Sequence, residues 1–147
     1  MRAWRLVHAR WQDTALSGDG AALYPGRWNR TGERVVYLAD TLALAVLETL
    51  VHLEAVTTEE PCVAIELALP DELLQSAAPL SSGWQQDLKI TRDLGSRWLS
   101  AGTALALRVP SVLVPDGANV LLNPAHRAAR LVEEVRRLPF RWDDRLF

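Results

Sequence analysis

The sequence predicts a single α+β domain spanning residues 1–147, with a mixed or largely antiparallel sheet as its core and helices packed on it. Three observations lead there. The chain has 147 residues, 49% of them hydrophobic, enough to bury one substantial core. Short apolar runs rich in β-branched residues recur along it: AWRLVH, VVYLA, VAIELAL, ALALRV and NVLLN. Helical segments fall irregularly among these runs instead of alternating with them, which argues against a regular βαβ sheet. No internal repeat, low-complexity tract or linker divides the chain.

The elements follow in order. Residues 3–8 alternate as a first strand, with Arg5 on the opposite face from Trp4 and Leu6. SGDG at 17–20 is a turn or loop, and Pro25-Gly26 sets a tight turn before Arg27-Trp28-Asn29. VVYLA at 35–39 reads as a buried strand. Asp40 or Thr41 then caps a helix over about 42–54. Its composition, LALAVLETLVHLE, is apolar nearly all round, which predicts a central helix. Helical spacing puts Leu44, Ala45, Glu48, Val51 and His52 on one face. Residues 57–61 form a polar connection, and 63–69 a strand ended by Pro70. Residues 71–75 suggest a short helical turn. A helix is expected over 91–101, capped by Thr91 and stopped by Gly102. Residues 104–109 form a strand interrupted by Pro110-Ser111, 112–114 resume the extended run, and 115–117 turn. A strand at 119–123 precedes a helix start at Asn123-Pro124. Residues 131–138 fit either a helical stripe or a strand, ended in both cases by Pro139.

Composition excludes several functions. The net charge of −2 offers no global basic field for nucleic acid. No apolar run reaches the roughly 20 residues of a membrane span. The N-terminus lacks the apolar core of a signal peptide. The single cysteine, Cys62, fits a reducing cytoplasm and reads as a small core residue. His8, His52 and His126 lack ligand spacing, so no metal site is expected. Six tryptophans point to a cleft or interface as well as a core.

Among candidate functional residues Glu48 stands first. An ionised carboxylate in an apolar helix requires a partner. Two readings stand level: a structural pair with Arg27 or His52, or a catalytic carboxylate held in a cleft. Arg27 sits in a loop stiffened by Pro25 and Gly26. Taken alone it is a surface arginine or the partner of Glu48, and its guanidinium also suits bidentate phosphate recognition. Tyr37 is a core tyrosine or a ring that stacks on a planar ligand. Ser111 is a turn serine or a donor to a substrate hydroxyl or phosphate; it lacks the Gly-x-Ser-x-Gly elbow of a hydrolase nucleophile. Arg5, from spacing alone, is an exposed strand arginine. No Walker loop or Gly-x-Gly-x-x-Gly is present.

Taken together, GRWN at 26–29, VVYLAD at 35–40, the LALAVLETLVHL helix, VPSVLVP at 109–115, NVLLNP at 119–124 and FRWDDRL at 140–146 resemble the RES domain over essentially the whole chain. The resemblance implies a fold like that of ADP-ribosyltransferases. It also implies the toxin role in a bacterial toxin–antitoxin pair whose antitoxin is a helix-turn-helix protein of the Xre type. NAD⁺ is implied as substrate rather than cofactor. Cleavage at the nicotinamide–ribose bond would deplete cellular NAD⁺, with water or phosphate as acceptor, and some members modify a protein instead. The residues matching the family pattern are Arg27, Tyr37, Glu48 and Ser111, with Arg5 from the first strand and Asn119 from the NVLLN strand. By this resemblance Arg27 and Arg5 hold the pyrophosphate, Tyr37 packs on nicotinamide, Glu48 stabilises the oxocarbenium-like transition state, and Ser111 orients the ribose or a phosphate. A hetero-oligomer with the antitoxin is implied. Operator binding would fall to the antitoxin, since this sequence carries no DNA-reading motif.

Overall fold

A computed structural model describes residues 1–53 and 58–147. Seven strands form one sheet in the order β4-β5-β6-β2-β1-β3-β7. They are β1 (Arg2–His8), β2 (Val36–Ala39), β3 (Cys62–Ala68), β4 (Leu74–Ser76), β5 (Ala106–Pro110), β6 (Ala118–Leu122) and β7 (Glu133–Phe140). Neighbours are antiparallel except the parallel β4–β5 pair, so the sheet is mixed and the domain is α+β. Among the described residues three α-helices accompany it: α1 (Asp19–Leu23), α2 (Leu42–Leu50) and α3 (Leu88–Ala101).

Strand alternation sorts the core. Ala3, Val36, Leu38, Ile65, Leu67, Ala106, Val120 and Leu122 gather in one cluster. Leu6, Ala39 and Ala64 instead pack with Leu44 and Ala45 of α2 and with Trp142. Leu107, Val109 and Leu121 pack with Trp28, Val35 and Trp98 of α3. At roughly 25 cal/mol per Å² of apolar surface removed from water, these clusters dominate the stability of the fold.

The sheet is not continuous along its centre. β1 pairs with β3 over its whole length, and β2 with β6 over its whole length, but β1 and β2 share only the Trp4–Ala39 pair. The two halves therefore part beyond that pair, and a cleft opens in the gap.

Several elements differ from the sequence expectation. A short helix, α1, follows the turn at Gly18, whose φ of 76° suits glycine. Of the two caps expected for α2, Thr41 serves, as anticipated: its side chain accepts from Leu44 N–H at 3.1 Å. The helix ends at Leu50 rather than 54, and position 54 lies outside the described residues, as does 57 of the predicted connection. Only Leu44 and Ala45 of α2 are buried, so it covers the sheet instead of running through the core. Its outward apolar residues are half-buried, and composition alone does not register that difference. The helical turn expected over 71–75 is present as a 3-10 turn at Asp71–Leu73, but Leu74 and Gln75 pass into the parallel edge strand β4. Asp87 caps α3 by accepting from Lys89 N–H at 3.0 Å, so that helix begins before Thr91, while Gly102 does stop it in the left-handed region.

Residues 112–114 bend instead of continuing a strand. Asn123-Pro124 starts no helix; the Asn123 side chain accepts from Ala125 N–H at 3.0 Å and makes a turn. Residues 133–140 are a strand that contains Pro139 instead of ending before it. An edge position, with one side unpaired, tolerates proline. The first strand, the strand after Gly32, the strand before Pro70 and the NVLLN strand lie within a residue or two of their predicted bounds.

Helix α3 sits unusually close to the loop that precedes β2. A Cβ at Gly95 would lie 1.7 Å from the Trp28 carbonyl oxygen. Gly95→Ala sets two effects against each other. Alanine gains about 1 kcal/mol of helix propensity over glycine. The clash with a backbone atom in a packed core costs about 3 kcal/mol. The clash should win, lowering the urea midpoint of unfolding; a raised midpoint would mean that the helix sits free of the loop.

Candidate active site

The loop from Tyr24 to Glu33 is built around one buried amide. Asn29 is fully buried. Its Oδ1 accepts from Gly26 N–H at 2.8 Å and from the Tyr37 hydroxyl at 2.6 Å. Its Nδ2 donates to the carbonyls of Ala21, Arg30 and Glu33. The Tyr37 oxygen in turn accepts from Trp28 N–H at 3.0 Å. Gly26 is required here, because a Cβ would stand 2.8 Å from the Tyr37 ring and hydroxyl. Helix α3 clamps the loop from the other side. Thr91 Oγ1 donates to Arg27 O at 2.6 Å, and Arg92 Nε donates to Gly26 O at 3.0 Å. The Arg27 guanidinium reaches Gln85 O at 2.9 Å.

Across the gap, α2 presents Glu48. Its Oε1 accepts from Asn119 Nδ2 at 2.8 Å and from Ser111 Oγ at 3.1 Å. Each such charge-assisted bond is worth roughly 1.5–3 kcal/mol. Ser111 Oγ also accepts from Leu113 N–H and Val114 N–H, so the serine is held by the bend that follows β5. Among the described residues Oε2 of Glu48 accepts no hydrogen bond, and no cation stands within ion-pairing distance. Neither structural partner considered for Glu48 is used: Arg27 turns to Gln85, and His52 lies exposed in the turn after α2.

These groups face one cleft of about 890 Å³. It is lined by both parted strands, the Tyr24–Trp28 loop, α2, the start of α3, the Pro110–Leu113 bend and Asn119. Its charged walls are uneven. Arg5, Arg27 and Arg92 line it, against Glu48 as the one carboxylate among the described lining residues. A second depression of similar volume near Arg34 and Asn123 is shallow and open, and none of the candidate residues reaches it.

Arg5 occupies the gap itself. Its Nη1 donates to Tyr37 O at 2.9 Å, a carbonyl that β1 does not pair, while its Nε is buried without a partner. Burial lowers the guanidinium to about 10, which leaves it cationic at neutral pH. The exposed-strand reading of Arg5 is thereby corrected.

The structure thus brings Arg5, Arg27, Tyr37, Glu48 and Asn119 to one cleft. Ser111 stands behind it: its hydroxyl is committed to Glu48 and two backbone amides, so it positions the carboxylate and has no free donor for a ligand. Tyr37 offers a ring wall only, since its hydroxyl is likewise committed. Sequence reasoning missed Asn29 as the hub of the loop, and Arg92 altogether. Asn29 carried a signal, as a polar residue beside a Gly-Arg-Trp turn. Arg92 carried none, being one of several charges on an amphipathic helix.

Residues 2–143 match the RES domain, and the chain belongs to that family. A protein named Toxin Res from Yersinia enterocolitica is 36% identical over 151 residues, spanning 99% of both chains. Another of that name from Pseudomonas putida is 39% identical over 135 residues, covering 90% of this chain and 92% of its own. A Sphingobium protein named Prs ADP-ribosylating toxin is 36% identical over 152 residues, covering 97% of this chain and 94% of its own. Among solved structures, the M. tuberculosis MbcT–MbcA toxin–antitoxin complex contains a chain that superposes with a TM-score of 0.75 at 14% identity, covering 95% of this chain and 84% of that one. At that identity the likeness establishes the fold.

Burial pushes the Tyr37 hydroxyl up from 10.0 to about 12. The fold favours the neutral form, so this contribution to stability is present below pH 10 and is lost as pH rises toward 12. It is worth roughly 2–3 kcal/mol. Tyr37→Phe should lower stability at pH 8 by about 1–3 kcal/mol, because Trp28 N–H loses its acceptor. It should also remove the wild-type decline between pH 10 and 12. Denaturant titrations of both proteins across pH test this, and identical pH profiles would refute the buried-hydroxyl account.

Proposed function

We propose that this chain is the toxin of a toxin–antitoxin pair and depletes NAD⁺ by cleaving its nicotinamide–ribose bond. The observation that carries the reading is the held carboxylate. One oxygen of Glu48 is fixed by Ser111 and Asn119, and the other is left to a cleft whose remaining fixed charges, among the described lining residues, are guanidiniums. Such a site suits a ligand that is anionic along its length and develops positive charge at one point.

The chemistry follows from that arrangement. The C–N bond between ribose and nicotinamide breaks, and its electron pair leaves with the ring as neutral nicotinamide. The ribose carbon gains oxocarbenium character, which a nearby fixed carboxylate stabilises. An acceptor oxygen then forms the new bond to that carbon: water releases its proton to solvent, whereas phosphate attacks through an already deprotonated oxygen. Glu48 accepts a ribose hydroxyl through Oε2. Asn119 and Ser111 keep the carboxylate aimed. Arg27 and Arg5 supply charge for the pyrophosphate, and the Tyr37 ring forms a wall for nicotinamide. No step asks for a metal or a resident cofactor.

Transfer of ADP-ribose to a protein is the second reading, favoured by the name of the Sphingobium relative. The partner is a cognate antitoxin, of the Xre helix-turn-helix type, forming a hetero-oligomer with this chain. The toxin–antitoxin complex among the structural neighbours supports that pairing. So does the apolar cleft rim, where Tyr24, Val51, Leu88, Val112 and Leu113 are exposed.

Incubating the protein with NAD⁺, with and without phosphate and candidate protein acceptors, and following nicotinamide, tests these readings. Release in solution supports depletion, label retained on protein supports transfer, and no release under any condition overturns both. Glu48→Gln keeps an oxygen for Ser111 and Asn119 but removes the charge. It should cut nicotinamide release at least about 100-fold while leaving the fold intact. Near-normal turnover in that variant would remove Glu48 from the chemistry.

A further inference from the structure

Among the described lining residues, Arg92 is the one charged group to which the proposed function gives no role. Among the described residues it forms no ion pair. Its Nε is fixed on Gly26 O at 3.0 Å, which leaves the two Nη groups free of protein acceptors there. The adjacent residue, Thr91, holds the next carbonyl, that of Arg27, at 2.6 Å. Consecutive residues of α3 thus grip consecutive carbonyls of the loop, and Gly95 lets the helix approach that closely. Arg27 and Arg92 are therefore two guanidiniums on one rigid unit, facing one cleft. Like-charged guanidiniums that face one cleft repel one another, and a bound anion relieves that repulsion. The chain carries a net charge of −2 overall, so this local excess of positive charge is not a general property of its surface.

We propose that Arg92 is a second phosphate-binding residue, acting with Arg27 as a paired clamp on the diphosphate of a nucleotide ligand. This rests on the NAD⁺ reading for the full substrate, but the clamp needs only a nucleoside diphosphate. Two planar forks on one scaffold select for adjacent phosphates over a single one. Because Arg92 is bonded to the loop and makes no hydrogen bond with Glu48, Ser111 or Asn119, it contributes to binding and not to the chemical step.

The test is calorimetric titration of the purified full chain with ADP and with adenosine, alongside NAD⁺ kinetics. Wild type should bind ADP well and adenosine weakly. Arg92→Gln should weaken ADP binding by about 10–100-fold and leave adenosine binding unchanged. The KM for NAD⁺ should rise by a similar factor while kcat stays within about threefold. Arg92→Lys, which keeps the charge without the fork, should recover part of the ADP affinity and guards against misreading a folding defect. If Arg92→Gln lowers kcat and the thermal midpoint with ADP affinity intact, Arg92 is only a strut for the loop and the proposal falls. It also falls if wild type does not distinguish ADP from adenosine. Arg92-dependent ADP binding in a protein that leaves NAD⁺ untouched would uphold the clamp while overturning the cleavage reading. NAD⁺ cleavage with KM and ADP affinity indifferent to Arg92→Gln would do the reverse.

Discussion

The site depends on a single buried side-chain amide. Asn29 has no exposed surface, and its amide meets five partners from α1, the loop and β2. An amide buried so completely must be satisfied on both ends, so its position dictates theirs. Gly26, Trp28 and Tyr37 are placed by this network, and with them the loop that carries Arg27. Helix α3 closes on the other side, through Thr91, Arg92 and a glycine that leaves room for a carbonyl. The result is a charged loop with little freedom, which suits a binding site whose ordering cost is met during folding.

The second constraint is the parting of β1 from β2. A continuous sheet would leave no cavity between them. Here one shared pair holds the halves together, and Arg5 satisfies a strand carbonyl that would otherwise face the gap. The cleft is thus a product of sheet geometry, with Glu48 on one bank and the guanidinium loop on the other. An ion pair between Arg30 and Asp93 ties the loop to α3 away from the cleft lining, whereas the lining charges Arg5, Arg27, Arg92 and Glu48 are held by hydrogen bonds to backbone or to neutral side chains. That choice leaves the charges available, because an arginine already bonded to a carboxylate has little attraction left for a phosphate.

Much of the architecture was legible in the sequence because period-two and 3.6-residue patterns report burial directly. VVYLA, VAIELAL and NVLLN are strands near their expected bounds, and Gly102 ends its helix as expected. The failures share a cause. β4 and residues 112–114 are short, and their state depends on what lies beside them. Pro139 is tolerated only because β7 is an edge strand, and Pro124 opens a turn because Asn123 binds Ala125 N–H before a helix can propagate. For α2, apolarity all round suggested a central position, but the helix lies on the sheet with half-buried outer residues.

The sequence by itself determined the class of fold, the family resemblance, and the set of unusual residues: a carboxylate in an apolar helix, a Gly-Arg-Trp-Asn turn, a tyrosine in a strand and a serine after a strand break. These are local facts, carried by residue type and spacing. Only the tertiary structure decided what each one touches. It turned Ser111 from a ligand donor into a support for Glu48, committed the Tyr37 hydroxyl to the loop, moved Arg5 into the gap, and brought Arg92 to the cleft from a helix that looked unremarkable. Hydrogen bonds across 60 or 70 residues of sequence leave no periodic trace in the chain, because each depends on two distant segments meeting at about 3 Å.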